Sequence, residues 1–121
     1  MKYMCLGYFD KKKMDALPKA ELDALMGKCQ QVIVELYESG HLIIDAGVDQ
    51  KSTIVRNVKG KVSVTDGPYI ETKEQIGGAF IIEAKDEQDA IRIASLHPAV
   101  RMGEDRGWAL EIRQVTVFEQ R

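Results

Sequence analysis

Apolar residues recur with a helical period between residues 18 and 40. The stripe consists of Leu22, Leu25, Met26, Cys29, Val32, Ile33 and Leu36. Pro18 suits the first turn of a helix, and Gly40 suits a left-handed residue at its end. The pattern therefore predicts one amphipathic helix of about five turns, with a single apolar face.

Alternating or continuously apolar segments predict strands at residues 2–9, 42–48, 53–58, 61–65, 79–84 and 108–118. The first carries apolar residues on both faces, which is typical of a central strand that is covered on both sides. Lys59 and Gly60 form a hairpin turn signal between the third and fourth strands. The alternation of the last strand changes phase, so we expect a β-bulge near Arg113 and Gln114.

A second, shorter helix is predicted to start after Asp86, which suits an N-cap, and to end at His97 and Pro98. Residues 10–17 are expected to form a polar loop. The resulting order, β-α-β-β-β-β-α-β, predicts an α+β protein. We expect a ferredoxin-like α/β sandwich: a mainly antiparallel sheet with two helices on one face and an extra hairpin. Residues 1–121 contain no linker or repeat, so we expect a single domain.

Charge and composition narrow the range of partners. The 121 residues have a formal net charge of −2, whereas nucleic-acid binding usually needs a basic face. We expect no nucleic-acid or membrane partner, and a cytoplasmic location, because neither a signal peptide nor a spanning segment is recognisable. Cys5 and Cys29 fall in apolar patterns, which predicts two small buried side chains. With only two histidines and no clustered cysteines, we expect neither a metal nor a cofactor.

The segment from residue 64 to residue 83 has the most informative motif. It contains Val64-Thr65-Asp66-Gly67-Pro68-Tyr69, then Glu71-Thr72-Lys73-Glu74 and then Gly77-Gly78. Turn chemistry explains Asp-Gly-Pro, but it does not explain the run of polar residues that follows. A polar loop of this kind beside a sheet is a common place for binding or catalysis.

This segment resembles the YCII-related family, and specifically the branch named for a DGPF motif, with Tyr69 in place of the phenylalanine. The resemblance extends over most of the chain and implies the ferredoxin-like fold, commonly as a homodimer. The fold of this family resembles that of muconolactone-isomerase-like dimers, and some relatives are similar to dehydrochlorinases, which implies proton abstraction or elimination. Other relatives are thought to use a His-Asp pair. For this chain the pair would combine His41 or His97 with Asp45 or Asp66, and spacing alone leaves all four combinations open.

Three residues are the candidate catalytic groups. Asp66 follows a strand and is suited to act as a general base. His97 lies at the end of a helix, where the dipole favours the protonated imidazole, and is suited to shuttle a proton. His41 lies four residues before Asp45, a separation of roughly 13 Å along a strand. That distance is too long for a direct pair, so its partner would have to come from another element.

Five residues are candidates for substrate binding. Arg56 and Arg113 can each bind a carboxylate with two hydrogen bonds, and Arg56 is also a candidate ion-pair partner for Asp45. Lys73 and Thr72 can bind an anion, and Tyr69 can form an aromatic wall. We therefore expect a cofactor-independent enzyme that performs acid-base chemistry on a small anionic or aromatic-derived substrate. The main alternative is a non-catalytic ligand-binding or regulatory module, which the resemblance links to sigma-factor signalling, and a plain dimeric scaffold is the third.

Overall fold

The computed structural model describes residues 1–68 and 74–121. The strands are β1 (Lys2–Asp10), β2 (Leu42–Gly47), β3 (Thr53–Val58), β4 (Lys61–Asp66), β5 (Glu74–Glu83) and β6 (Ala109–Gln114). The helices are α1 (Lys11–Asp15), α2 (Lys19–Val32), α3 (Val34–Glu38), α4 (Glu87–Ala94) and α5 (Pro98–Arg101). The chain therefore has the predicted alternation of elements, with short additional helices at both crossovers.

The main sheet has four strands in the order β2-β5-β1-β6, and every neighbouring pair is antiparallel. Strands β3 and β4 form a separate two-stranded sheet. The central pair, β5 and β1, is formed by strands that lie far apart in sequence. This order and the helical crossovers confirm the ferredoxin-like α+β fold with an extra hairpin.

The helices cover one face of the main sheet, and the core lies between these two layers. Its buried residues are Tyr3, Cys5, Leu36, Phe80, Ile82, Ala84, Ala90, Ile93 and Ala94. The side chains of β1 and β5 that enter this core alternate along each strand, as the period of two requires. The opposite face contains Met4, Leu6, Ile44, Ile76 and Ile81, of which Ile44 is 56% exposed. We call this second surface the open face.

The open face contradicts the expectation that β1 is covered on both sides. Met4 is 37% exposed, whereas Tyr3 and Cys5, on the helical side, are buried. The strand is central, as predicted. The described part of the chain provides helices for one face only.

The segment after β1 is helical and does not form the predicted polar loop. The Asp10 carboxylate accepts hydrogen bonds from the backbone N–H groups of Lys12 and Lys13, at 3.0 and 3.3 Å, and begins α1. A five-residue helix is too short to show a hydrophobic period, so only its N-cap indicates it. The predicted long helix is formed by α2 and α3, joined at Ile33, and Gly40 follows it with a φ of 79°.

Two strand predictions also change. Pairing is regular through Arg113 and Gln114, and β6 ends there, so the predicted bulge is wrong. The change in the apolar alternation that suggested a bulge lies beyond the end of β6. Strand β5 begins at Glu74, five residues earlier than predicted, and includes Gly77. Glycines weaken the strand signal in a sequence, but here long-range pairing to β1 and β2 overrides it.

Leu36 gives a direct test of this core, because its side chain is fully buried between α3 and the other core residues. We expect Leu36→Ala to lower the free energy of unfolding by about 3 kcal/mol, through lost burial and a residual cavity. Urea denaturation followed by circular dichroism measures this change. Val100→Ala, at a site 47% exposed, is the control and should change stability by less than about 0.5 kcal/mol. Equal losses in the two variants would contradict the packing described here.

Candidate functional site

A cavity of about 530 Å³ lies between the sheet and the helices. The sheet contributes β1, β2 and β5, and the helical layer contributes α2, α3 and the start of α5. Met26, Cys29 and Ile33 of the predicted apolar stripe line this cavity. Much of that stripe therefore faces a cavity, which explains why Leu25 is the only buried residue of α2.

Asp45 enters the cavity from β2. Leu42 and Asp45 pair with Ile82 and Phe80, both on the helical side, because Ile43 is an extra residue in β2. One added residue moves every later side chain to the other face of a strand. Without this bulge, Asp45 would lie on the open face of the sheet.

The Asp45 carboxylate is held by a tyrosine from the neighbouring helix. The hydroxyl of Tyr37 donates a hydrogen bond of 2.6 Å to its Oδ2 atom. This bond to a negative group, followed by burial and the charge of Asp45, raises the pKa of Tyr37. Tyr37 is therefore a protonated donor at neutral pH, and Asp45 has this hydroxyl as its partner in place of the Arg56 suggested by the sequence.

His97 reaches the same cavity from the junction between α4 and α5. Its Nδ1 accepts a hydrogen bond of 2.9 Å from the backbone N–H of Ala99, so the imidazole is the N-cap of α5. Its ring stacks on Phe80, with centroids 4.8 Å apart and an interplanar angle of 8°. These two contacts determine the position and the tilt of the ring.

The same contacts determine the protonation of His97. Burial lowers the pKa of the imidazole, and the nearby charge of Asp45 opposes this effect only in part. Because Nδ1 accepts a hydrogen bond from the backbone N–H of Ala99, the neutral ring has its own proton on Nε2. The predicted preference for the protonated imidazole is therefore not met: burial lowers the pKa of His97, and the ring caps the start of the short helix α5.

The charge of Asp45 acts on His97 without a direct bond between the two side chains. In the described part of the chain, no hydrogen bond or ion pair of 4.0 Å or less connects the two side chains, although the charge of Asp45 acts on the His97 ring. Both line the cavity. Of the four His-Asp combinations that the sequence leaves open, this is the one whose members share a cavity.

The remaining candidates lie elsewhere. Asp66 and Arg56 are in the separate hairpin, where they pair with Thr53 and Ser63. Arg113 is on the open face, with a hydrogen bond of 3.2 Å to Glu111. His41 precedes β2 and is absent from the described cavity lining. Tyr69, Thr72 and Lys73 lie outside the described residues.

Sequence reasoning missed Tyr37, which also lines the cavity. The position of Tyr37 in its helix gives no apolar signal, because it lies beside the stripe and not in it. Its role depends on meeting Asp45, eight residues later, after the chain has reversed. The charge of Asp45 within an apolar strand is the local signal that points to this site, because such a group needs a polar partner.

No metal site accompanies this arrangement within residues 1–68 and 74–121. These residues contain no group of three or more His, Cys, Asp or Glu side chains that could bind an ion. The same two segments contain no helix with both the length and the apolar character needed to cross a membrane.

Comparison with known proteins identifies the family. The model of the YCII-related domain matches residues 1–119, so this chain belongs to the YCII-related family. It is similar to the uncharacterized protein R00369 of Rhizobium meliloti (strain 1021), with 29% identity over 96 residues. The match covers 78% of this chain and 77% of that protein. The narrower assignment to the DGPF branch stays a prediction.

The lowered pKa of His97 predicts a specific dependence of stability on pH. As the pH falls below 6.5, the ordinary value for histidine, the unfolded chain binds a proton at residue 97 before the folded chain does. The free energy of unfolding should therefore decrease as the pH falls from 6.5 towards the lower pKa of the folded protein. Urea denaturation across this range measures the slope.

His97→Asn separates this effect from other titrations. Asparagine can cap α5 but cannot titrate, so this variant should show a clearly shallower decrease. His41→Asn removes the other histidine and leaves the cavity intact, and it should behave like the parent protein. The same slope in His97→Asn and in the parent would contradict the assignment.

Proposed function

We propose that this protein is a cofactor-independent enzyme that moves a proton on a small, aromatic-derived carbonyl compound. The observation that supports the proposal is the meeting of Asp45 and His97 at one cavity, from separate elements and without direct contact. A carboxylate and an imidazole that line one cavity, with no hydrogen bond between them, can both act on a group bound in that cavity. General acid-base catalysis needs a proton acceptor and a proton donor on either side of such a group.

Asp45 acts as the general base in this proposal. Its carboxylate removes a proton from the carbon next to the substrate carbonyl. Tyr37 is a positioning residue, because its hydrogen bond to Oδ2 orients the carboxylate. The second oxygen, Oδ1, is then the atom that accepts the proton.

His97 acts as the hydrogen-bond donor. Its neutral imidazole has a proton on Nε2, because Nδ1 accepts the Ala99 N–H. A neutral imidazole at a helix N-terminus can polarise a carbonyl and stabilise the enolate oxygen that forms when the proton leaves. Return of the proton from Asp45 to a different carbon, or to the same one, completes an isomerisation or an exchange.

Hydrogen exchange on a model ketone tests this proposal. In D₂O at neutral pH, the protein should accelerate the exchange of the C1 and C3 hydrogens of 2-tetralone, followed by proton NMR. Asp45→Asn should reduce the protein-dependent rate by about a hundredfold, since general base catalysis contributes at least this much. Asp66→Asn is the matched control, because Asp66 lies in the separate hairpin, and it should retain the rate.

An exchange rate that is equal with and without the protein, or that survives Asp45→Asn, would contradict the enzyme proposal. Binding of the ketone without exchange would instead favour the non-catalytic ligand-binding module. The cavity is common to both functions, and only the proton transfer separates them.

We also propose that the protein forms a homodimer through the open face. This face has apolar side chains on the central strands, and no element of residues 1–68 or 74–121 covers it as the helices cover the other side. A contiguous exposed apolar surface on a sheet is typical of a protein interface. A second copy has the same apolar face, and two such faces can pack about a two-fold axis.

The mass of the particle in solution tests the dimer. Light scattering after gel filtration should give twice the 13.6 kDa of the chain. Ile44→Lys should produce monomers, because two buried lysines would lie within the interface. Ile91→Lys, on α4 and 42% exposed, is the control and should leave the dimer intact. A monomeric parent protein, or dimeric Ile44→Lys, would contradict the proposal.

A further inference from the structure

Three glycines lie side by side on the sheet beneath the cavity. Gly78 of β5 pairs with Gly7 of β1 on one side and with Gly47 of β2 on the other. All three line the cavity. Three neighbouring strands therefore present bare backbone at the same level, and we call these residues the glycine floor.

The backbone does not require glycine at two of these three positions. Neither Gly7 nor Gly47 has a positive φ. A Cβ atom at Gly7 would lie 3.6 Å from its nearest neighbour, and one at Gly47 would lie 4.0 Å away, which are ordinary contacts. Glycine weakens a strand interior. Its effect here is to leave the floor of the cavity without side chains.

The walls above the floor are aromatic on several sides. Trp108 and Tyr37 line the cavity, together with the stacked rings of Phe80 and His97. Aromatic side chains favour a flat ring placed against them by stacking or edge contacts. A floor without side chains leaves a flat space for such a ring, whereas a puckered ring would leave gaps.

The charge of the lining restricts the ligand further. Asp45 is the only charged side chain among the described residues of the lining, which include no lysine or arginine. A carboxylate on the ligand would therefore approach Asp45 without a cation to balance it. The Asp45 carboxylate is an acceptor for the oxygen of an uncharged ligand, and the Nε2–H of His97 is a donor; the other polar side chains of the lining include those of Tyr8, Gln30, Tyr37 and Gln50.

We propose that the cavity binds a flat, uncharged aromatic alcohol or ketone, with its ring on the glycine floor and its oxygen towards Asp45 and His97. This inference rests on the proposed function for the role of the site, and it adds the class of ligand. The glycine floor selects for a flat ring, and the charge of the lining selects for an uncharged ligand. Binding therefore does not depend on whether a proton is transferred.

Three related compounds test shape and charge separately. 2-Naphthol is flat and uncharged, trans-decahydro-2-naphthol has the same skeleton with puckered rings, and 2-naphthoate is flat and anionic. Each is titrated into the ¹⁵N-labelled protein at neutral pH. Trp108 is the only tryptophan, so its single indole N–H signal reports on the cavity.

We expect 2-naphthol to bind at least about tenfold more tightly than either of the other two, a ratio typical of small changes in ligand fit. Gly47→Val should weaken 2-naphthol binding by about tenfold or more, because it fills the floor. Gly7→Ala tests the floor independently from another strand and should also weaken binding. Gly27→Ala, on α2 with open space around it, is the control and should bind like the parent.

Each alternative result overturns one part of the proposal. Equal binding of the saturated alcohol would refute the selection for a flat ring, and tighter binding of 2-naphthoate would refute the uncharged ligand. Failure of all three compounds to shift the Trp108 signal would refute the site. The titration measures binding and no turnover. If the protein binds 2-naphthol but fails the ketone exchange test, the enzyme proposal is contradicted and this inference about the ligand is retained.

Discussion

The packing of Phe80 connects the core of this protein to its cavity. Phe80 is 2% exposed and lies on the central strand β5, between Cys5 of β1 and Asp45 of β2. The same ring stacks on His97. The side chain therefore anchors the helical layer and orients the imidazole. A well-packed core is rigid, so the geometry of the candidate site is determined by the same contacts that stabilise the fold.

Irregularities in the sheet determine what the cavity contains. The extra residue Ile43 turns Asp45 towards the helices, and the extra residue Gly77 shifts the register between β5 and β1. Next to them, the glycine floor leaves space where other strands would have side chains. Bulges commonly lie beside functional sites because they redirect side chains without breaking the sheet. Here they place a carboxylate above a flat surface.

The candidate site combines a polar pair with apolar surroundings. Burial keeps the His97 imidazole neutral, and the Ala99 N–H leaves its remaining proton on Nε2. The Tyr37 hydroxyl holds the carboxylate of Asp45. The bond to Asp45 comes from another element, α3, whereas the bond to His97 comes from Ala99, two residues further along the chain. The proposed proton transfer would use this arrangement without first breaking a hydrogen bond between the two partners.

The sequence by itself determined the six strands, the two main helical segments, their order and hence the ferredoxin-like class, because hydrophobic periods and caps are local, whereas the short helices α1 and α5 were not predicted. The stripe that contains Leu25 and Leu36 predicted α2 and α3, and the Asp86 cap predicted α4. Local patterns also indicated His97 and the charge of Asp45 as unusual. Local patterns did not reveal that Asp45 and His97 line one cavity, and they did not reveal the role of Tyr37, the bulges or the uncovered face of β1. Only the tertiary structure decided these features, because strand register and the convergence of side chains depend on contacts between residues far apart in the chain.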